Sequence, residues 1–218
     1  MMECKVIGTL HNADIQTVHE LLRSMSHSPV DRIAYHEIIL KDPQRMRAPP
    51  KVRLQCPLPT PVSVRGKDDV LLEEMTTTKD ESNCSWIMRH EGAPMRSSEA
   101  TALPATVMEV LESHLKGSRG SIEAFWTSTM GLKLDHALMK DGNRYQLEHD
   151  DFDIEVLICR LRKLPDPMKP ENAKYLVHNN FIVEIIAKSS KKDFREAAKA
   201  VGSFAEQLVP YVECQKAA

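Results

Sequence analysis

The chain reads as an α+β fold, a multistranded antiparallel β-barrel with flanking helices. Three features carry that reading. Roughly seven or more segments have the length and apolar pattern of strands. The longer ones are joined by turn signals and carry charge on one face, and closing such a sheet on itself removes its exposed edges. Helical stripes occur near both ends and in the middle of the sequence. The length of 218 residues suits one sizeable core, and no internal repeat is evident. The reading is therefore one barrel domain over residues 1–218.

The first strand is the weakly alternating "ECKVIGTL". Asn12 or Asp14 can cap the helix that follows, in which Ile15, Val18, Leu21, Leu22 and Met25 form an apolar stripe. "SHSPVDR" breaks that helix, and "AYHEIIL" is a second strand. Eight of the 13 prolines fall between Pro43 and Pro104, which excludes long central strands there because proline lacks a ladder amide. "KVRLQC" and "CSWIMRH" are short strand candidates in this region. Residues 43–83 as a whole read as a proline-rich, mobile insertion in the barrel. "PATVMEVLESHL" reads as a helix, with Pro104 in its first turn and Val107, Leu111 and Leu115 repeating at four. "SIEAFWTSTMG" reads as a second, short helix capped by Ser121 and closed by Gly131.

"GLKLDHALMK" is then a strand, and Asp141-Gly142 is a two-residue hairpin signal leading to the return strand "NRYQLE". "HDD" is a turn. On the long strand "FDIEVLICRLRKL", Phe152, Ile154, Val156 and Ile158 share one face; Asp153, Glu155, Leu157, Cys159 and Leu161 share the other. After the turn-rich "LPDPMKPEN" comes a last long strand, "YLVHNNFIVEIIAKSS". The final helix has a stripe of Phe194, Ala197, Ala198, Val201, Phe204, Ala205 and Leu208, and Pro210 ends it.

Composition narrows the function. A net charge of −2 gives no electrostatic reason to expect nucleic acid or an anionic membrane as partner. No apolar run approaches the ~20 residues of a spanning helix, and the opening lacks the form of a signal peptide. The five cysteines (Cys4, Cys56, Cys84, Cys159, Cys214) are scattered and odd in number, which points away from a disulfide framework or zinc site and toward a reducing compartment.

One stretch invites a catalytic reading. His149-Asp150-Asp151-Phe152-Asp153-Ile154-Glu155 holds one imidazole and four carboxylates in seven residues. Asp153 and Glu155 share a strand face, and Glu184 on the later strand could join them across a barrel. The set would suit a divalent-metal tunnel phosphohydrolase, a triphosphatase. Against that, His149, Asp150 and Asp151 fall in a turn, where polar residues are expected without any function. Arg160 and Arg162 lie on the opposite face from Asp153 and Glu155. The bland reading, a turn and a solvated strand, is the stronger. There is no Walker loop, GxGxxG, HExxH or GxSxG, and no catalytic set, metal site or cofactor is expected. A nucleic-acid-binding barrel is a weaker option still, because the basic stretches are short and lack interleaved aromatics. Phe125 and Trp126 adjoin on one short helix; at ~100° apart they cannot both point fully inward.

Several stretches, in order, resemble the family of the eighteenth subunit of the Mediator complex. They are "MECKVIGTLHNADIQTVHELLRSM" and the strand His36-Glu37-Ile38-Ile39-Leu40 early in the chain. In the middle comes Gly131, Leu134, Asp135 and His136 in "GLKLDHALMKDGNRY", and at the end "FAEQLVP" from Phe204 to Pro210. The resemblance implies a barrel shaped like triphosphatase tunnels but non-catalytic. It implies a nuclear scaffold in the Mediator head module that pairs with a second barrel subunit, the twentieth, and receives a C-terminal helix of the eighth. Contact with RNA polymerase II is implied through the assembled head. Buried apolar anchors supply most binding energy in such contacts. Phe125, Trp126, Leu134, His136 and Tyr145, on or beside the middle segment, are the expected anchors.

Overall fold

The computed structural model describes residues 1–43, 51–58, 84–165, 174–175 and 179–216. Its strands are β1 (Met2–His11), β2 (Asp31–Lys41), β3 (Lys51–Pro57), β4 (Cys84–Glu91), β5 (Thr106–Gly117), β6 (Lys133–His149), β7 (Phe152–Lys163), β8 (Lys174–Tyr175), β9 (Asn180–Ser189) and β10 (Val212–Lys216). The helices are α1 (Ile15–Met25), α2 (Ser98–Ala102), α3 (Arg119–Ala124) and α4 (Phe194–Gln207). Eight strands close a ring in the order β1-β5-β4-β3-β2-β6-β7-β9, with β9 returning to β1, and every pairing is antiparallel. β10 and β8 are short additions beside β1 and β7. Antiparallel order puts Lys41, Lys51, Lys133 and Lys163 at one mouth, called the upper one below. Met2, His149, Phe152 and Ser189 lie at the lower mouth.

The barrel is built inside out. Strand side chains alternate between faces, and in this ring most of the apolar set faces outward while most charged side chains face in, beside a small interior cluster of Ile33, Leu157 and Ile186. On β3, Val52, Leu54 and Cys56 are buried in an outer apolar cluster, whereas Arg53 and Gln55 line the interior. The outward apolar surface is covered in two places. Over β1, β7 and β9, α1 and α4 seat Val18, Leu22, Ala198, Val201, Phe204 and Leu208 on Cys4, Val6, Val156 and Ile185. Over β2, β3 and β4, the connection from the lower end of β5 to the upper end of β6 lays Ile122, Trp126 and Leu132, with Leu134 at the start of β6, on Leu40, Leu54 and Trp86.

Four local expectations need correction. Thr106–Gly117 is strand β5, not a helix. Val107, Leu111 and Leu115 repeat at four, a spacing that keeps one face of a strand as well as one face of a helix. Pairing with β1 and β4 decides in favour of the strand. Asp141-Gly142 is not a hairpin; β6 runs unbroken from Lys133 to His149. Gly142 is needed there because β7 crosses at contact distance: a Cβ at this position would lie 2.0 Å from the Ile158 carbonyl oxygen. At the start of α1, Asp14 makes no capping hydrogen bond, and His11 Nδ1 instead accepts from the Ala13 amide at 3.2 Å. Ser118, not Ser121, caps α3, accepting from the Ser121 amide at 3.2 Å.

Other expectations hold. Asp150 and Asp151 form the turn after β6 with positive φ of 50° and 63°, and Gly131 takes φ 72° after the middle helix. The stripe of α4 is buried as read. "KVRLQC" is in β3 and "CSWIMRH" in β4. The remainder of the proline-rich 43–83 segment, 44–50 and 59–83, lies outside the described residues. Neither α2 nor β10 was legible in the sequence.

Candidate functional site

Two regions qualify: the charged interior, which has the chemistry of a site, and the outer face around α3, which has exposed apolar groups.

The interior is lined by side chains of all eight ring strands, among them Lys5, Glu37, Arg53, Arg89, Lys140, Glu155 and Glu184. Glu184, central on β9, is buried, and its two oxygens go to different cations: Oε2 to Lys5 Nζ at 3.1 Å and Oε1 to Lys140 Nζ at 2.8 Å. Burial opposes charge on Glu184, but Lys140 and Lys5 override it and hold the carboxyl far below the usual carboxylate range. Lys140 is shifted the other way: burial disfavours its charge, and Glu184 and Glu37 raise its affinity for the proton well beyond the usual lysine value. Glu37 receives Arg53 Nη1 at 2.8 Å and Gln55 Nε2 at 2.6 Å. Despite burial, Lys140 and Arg53 keep it below its ordinary value. Arg53 turns its Nε to Glu91 at 3.1 Å. Arg89 bridges Glu3 and Glu112, and Lys188 meets Glu112 at 3.2 Å. The network leaves a cavity of about 120 Å³, below the ~300–1,000 Å³ of typical small-molecule sites.

The acidic cluster singled out in the sequence is divided by the fold. Glu155 and Glu184 do line one interior. Asp153 is exposed in an open depression at the lower mouth, with Asp150, Asp151, Asp193 and Glu196. His149 turns outward to α4, where its Nε2 is 3.2 Å from Ser203 Oγ and its ring stands edge-on to Phe204. Arg160 lies on the outer face over the Phe181 ring, 4.6 Å from its centroid. The carboxylate that sequence reasoning brought to the centre, Glu184, is thus the one most fully engaged by lysines. No group of three or more His, Cys, Asp or Glu suited to a metal ion occurs among the described residues.

Sequence reasoning missed most of this interior. Glu3-x-Lys5, Arg53-x-Gln55 and Arg89-x-Glu91 each repeat at two, which is the signal, but alternation by itself reads as a solvated face. Cys4 and Cys159 are buried, and burial pushes both thiols up to about 12, so they act as small core residues.

The expected anchors separate into three kinds. Phe125 opens a π turn, Phe125–Thr129, in which the Met130 amide donates to the Phe125 carbonyl at 3.1 Å. Phe125 is 47% exposed, and its ring stands edge-on to Trp126 with centroids 5.2 Å apart. Trp126 turns inward onto the outer core, as does Leu134, and the Trp126 Nε1–H has no acceptor among the described residues. His136 is exposed and meets Asp135 at 2.9 Å. Tyr145 is fully buried under α1, its hydroxyl against His19 Nδ1, so it presents no surface while α1 is seated. Leu111 and Met130, 55% and 54% exposed, are further apolar groups on the outside.

Comparison with known proteins adds a family to the geometry. The family model described as Med18 protein matches residues 2–217. Over 216 residues the chain is 26% identical to Mediator of RNA polymerase II transcription subunit 18 of Arabidopsis thaliana, a match spanning 99% of this chain and 87% of that protein. Among solved structures it is similar to a chain of the Schizosaccharomyces pombe Mediator head module, with a TM-score of 0.68 and 15% identity over 100% of this chain and 99% of that one. It is also similar to a Pyrococcus horikoshii OT3 protein, with a TM-score of 0.57 and 13% identity over 97% and 93% of the two chains. At these identities the structural likenesses speak to the fold alone, a closed antiparallel barrel with helices outside.

Proposed function

Because this chain belongs to the Med18 family, whose model matches residues 2–217, we propose that it is a non-catalytic scaffold subunit of the Mediator head module. It works through protein–protein contacts in RNA polymerase II transcription, in the nucleus. The observation that carries the non-catalytic part is the state of Glu184: both of its oxygens are held by lysines of the same chain. A tunnel hydrolase needs carboxylates turned toward a cation and its substrate. Here the central carboxylate instead holds the barrel's own strands together, β9 to β1 and β6.

Partners attach from outside. The outer face around α3 offers Phe125 as an exposed aromatic anchor, with Trp126 and Leu134 behind it as support. His136 contributes a polar contact near the upper end, and Tyr145 acts by seating α1. The partners proposed are the twentieth Mediator subunit, pairing barrel to barrel, and a C-terminal helix of the eighth. RNA polymerase II is met through the assembled head.

Capture of co-expressed partner subunits by the tagged chain tests this reading. Phe125→Asp alters an exposed position, so stability should change by no more than ~0.5 kcal/mol. If Phe125 anchors a partner, capture falls by about tenfold or more. Unchanged capture by a folded Phe125→Asp chain removes the anchor from the account. Release of phosphate from a triphosphate in the presence of a divalent metal, abolished in a folded Asp153→Ala, Glu155→Ala, Glu184→Ala chain, would replace the scaffold reading with a phosphohydrolase.

A further inference from the structure

The interior of the barrel alternates cations and anions with care, and the upper mouth breaks that rule. Lys133 of β6 lies opposite Lys41 of β2, and Lys41 lies opposite Lys51 of β3. Three lysines thus occupy successive register positions on three adjacent strands. Leu134 and Leu40 pack on the outer core, and Arg53 faces the interior, so all three lysines point to the mouth side of the ring. Lys51 and Lys133 are exposed, and so is Lys41, with 49% of its side chain open. Lys163, the last residue of β7, is exposed at the same end.

Among the described residues, nearby acids do not balance this row. Asp135 is shared between Lys41 at 2.5 Å and His136 at 2.9 Å. Glu91 is the cross-strand neighbour of Lys51, but it gives both oxygens to Arg53, at 3.1 and 3.2 Å. Asp42 has a partner of its own. Lys51, Lys133 and Lys163 make no ion pair among the described residues. Like charges directly opposite on a sheet destabilise it, and a row kept at such a cost fits a surface that meets negative charge from elsewhere.

We propose that the upper mouth, through Lys41, Lys51 and Lys133, is a docking surface for a carboxylate-rich peptide segment of a partner protein. Adjacent strands are ~4.8 Å apart, so the three ammonium groups span a short row that a few acidic side chains of one peptide can match. The chemistry favours a peptide over nucleic acid. The row contains no aromatic residue on which a base could stack. This inference does not depend on the family reading or on Phe125, and partner assembly at α3 can fail without touching it.

The test is fluorescence anisotropy of a labelled oligoglutamate peptide with the full chain, at low and at raised salt. Binding should weaken with salt, and Lys51→Glu combined with Lys133→Glu should weaken it by about tenfold or more. Lys192→Glu, at an exposed lysine just before α4 with no ion pair among the described residues, should leave it unchanged. Lys133→Glu turns the repulsion with Lys41 into attraction, so its urea midpoint should stay level or rise, which keeps a loss of binding from being a loss of fold. No binding of the peptide overturns the proposal. An equal loss from Lys192→Glu does the same, and so does tighter binding of a single-stranded oligouridine than of the peptide at the same salt.

Discussion

Glu184 shows how far one side chain determines what the barrel is. It sits between Lys5 and Lys140 with almost no access to water. Breaking a buried ion pair by removing one partner leaves the other charge uncompensated, at ~3–5 kcal/mol. Glu184→Ala should therefore lower the unfolding free energy by that order in urea titration, and an unchanged midpoint would show that the lysines find other partners. The pH dependence follows from the same contacts. The folded-state pKa of Glu184 lies below its unfolded value, as does that of Glu37. Such groups contribute stability that is complete above the ordinary carboxylate range of ~4.3 and is lost as pH falls through their folded values. Stability should drop as the solution is acidified below that range, and Glu184→Gln should flatten the drop. A variant with the same acid slope as the parent would remove Glu184 as its source. Tyr145 supplies a contrasting residue: Tyr145→Ala empties a buried aromatic position and should cost ~3–5 kcal/mol, whereas Phe125→Asp should not.

At the scale of the element, strands β5 and β6 show what a sequence can and cannot convey. Strand β7 was legible because strict alternation of Phe152, Ile154, Val156 and Ile158 has no helical counterpart. Helix α4 was legible because its stripe has no strand counterpart. In β5 the repeat at four fits both, and the decision belongs to β1 and β4, residues distant in sequence. β6 misled through Gly142, whose use is close approach of β7 and not a turn. Gly142→Ala should accordingly destabilise by ~1–3 kcal/mol or more, as overpacking does, measured by thermal and urea unfolding. A neutral Gly142→Ala would show that β6 and β7 can separate there at no cost. The interior site was half legible: Glu155 and Glu184 were placed on one lining, but Lys5 and Lys140 were not seen as the partners of Glu184, since only closure of the ring turns a charged strand face inward.

For the whole molecule, inside-out construction connects fold to role. A closed ring has no long open edges, its charged interior is internally paired, and its apolar outside is covered by α1, α4 and the β5–β6 connection. What remains to meet other molecules is the uncovered outside and the two mouths. That distribution suits a subunit that presents surfaces to neighbours. Family membership was legible from ordered, dispersed stretches of sequence, whereas the lysine row at the upper mouth was not, because Lys41, Lys51 and Lys133 become neighbours only through strand register.

The most direct measurement is co-expression of the chain with Mediator subunits 8 and 20, followed by size-exclusion chromatography with light scattering. The account predicts a stoichiometric ternary complex, retained when Glu184 is changed to Gln in a chain that stays folded. A folded monomer that ignores both subunits would contradict it.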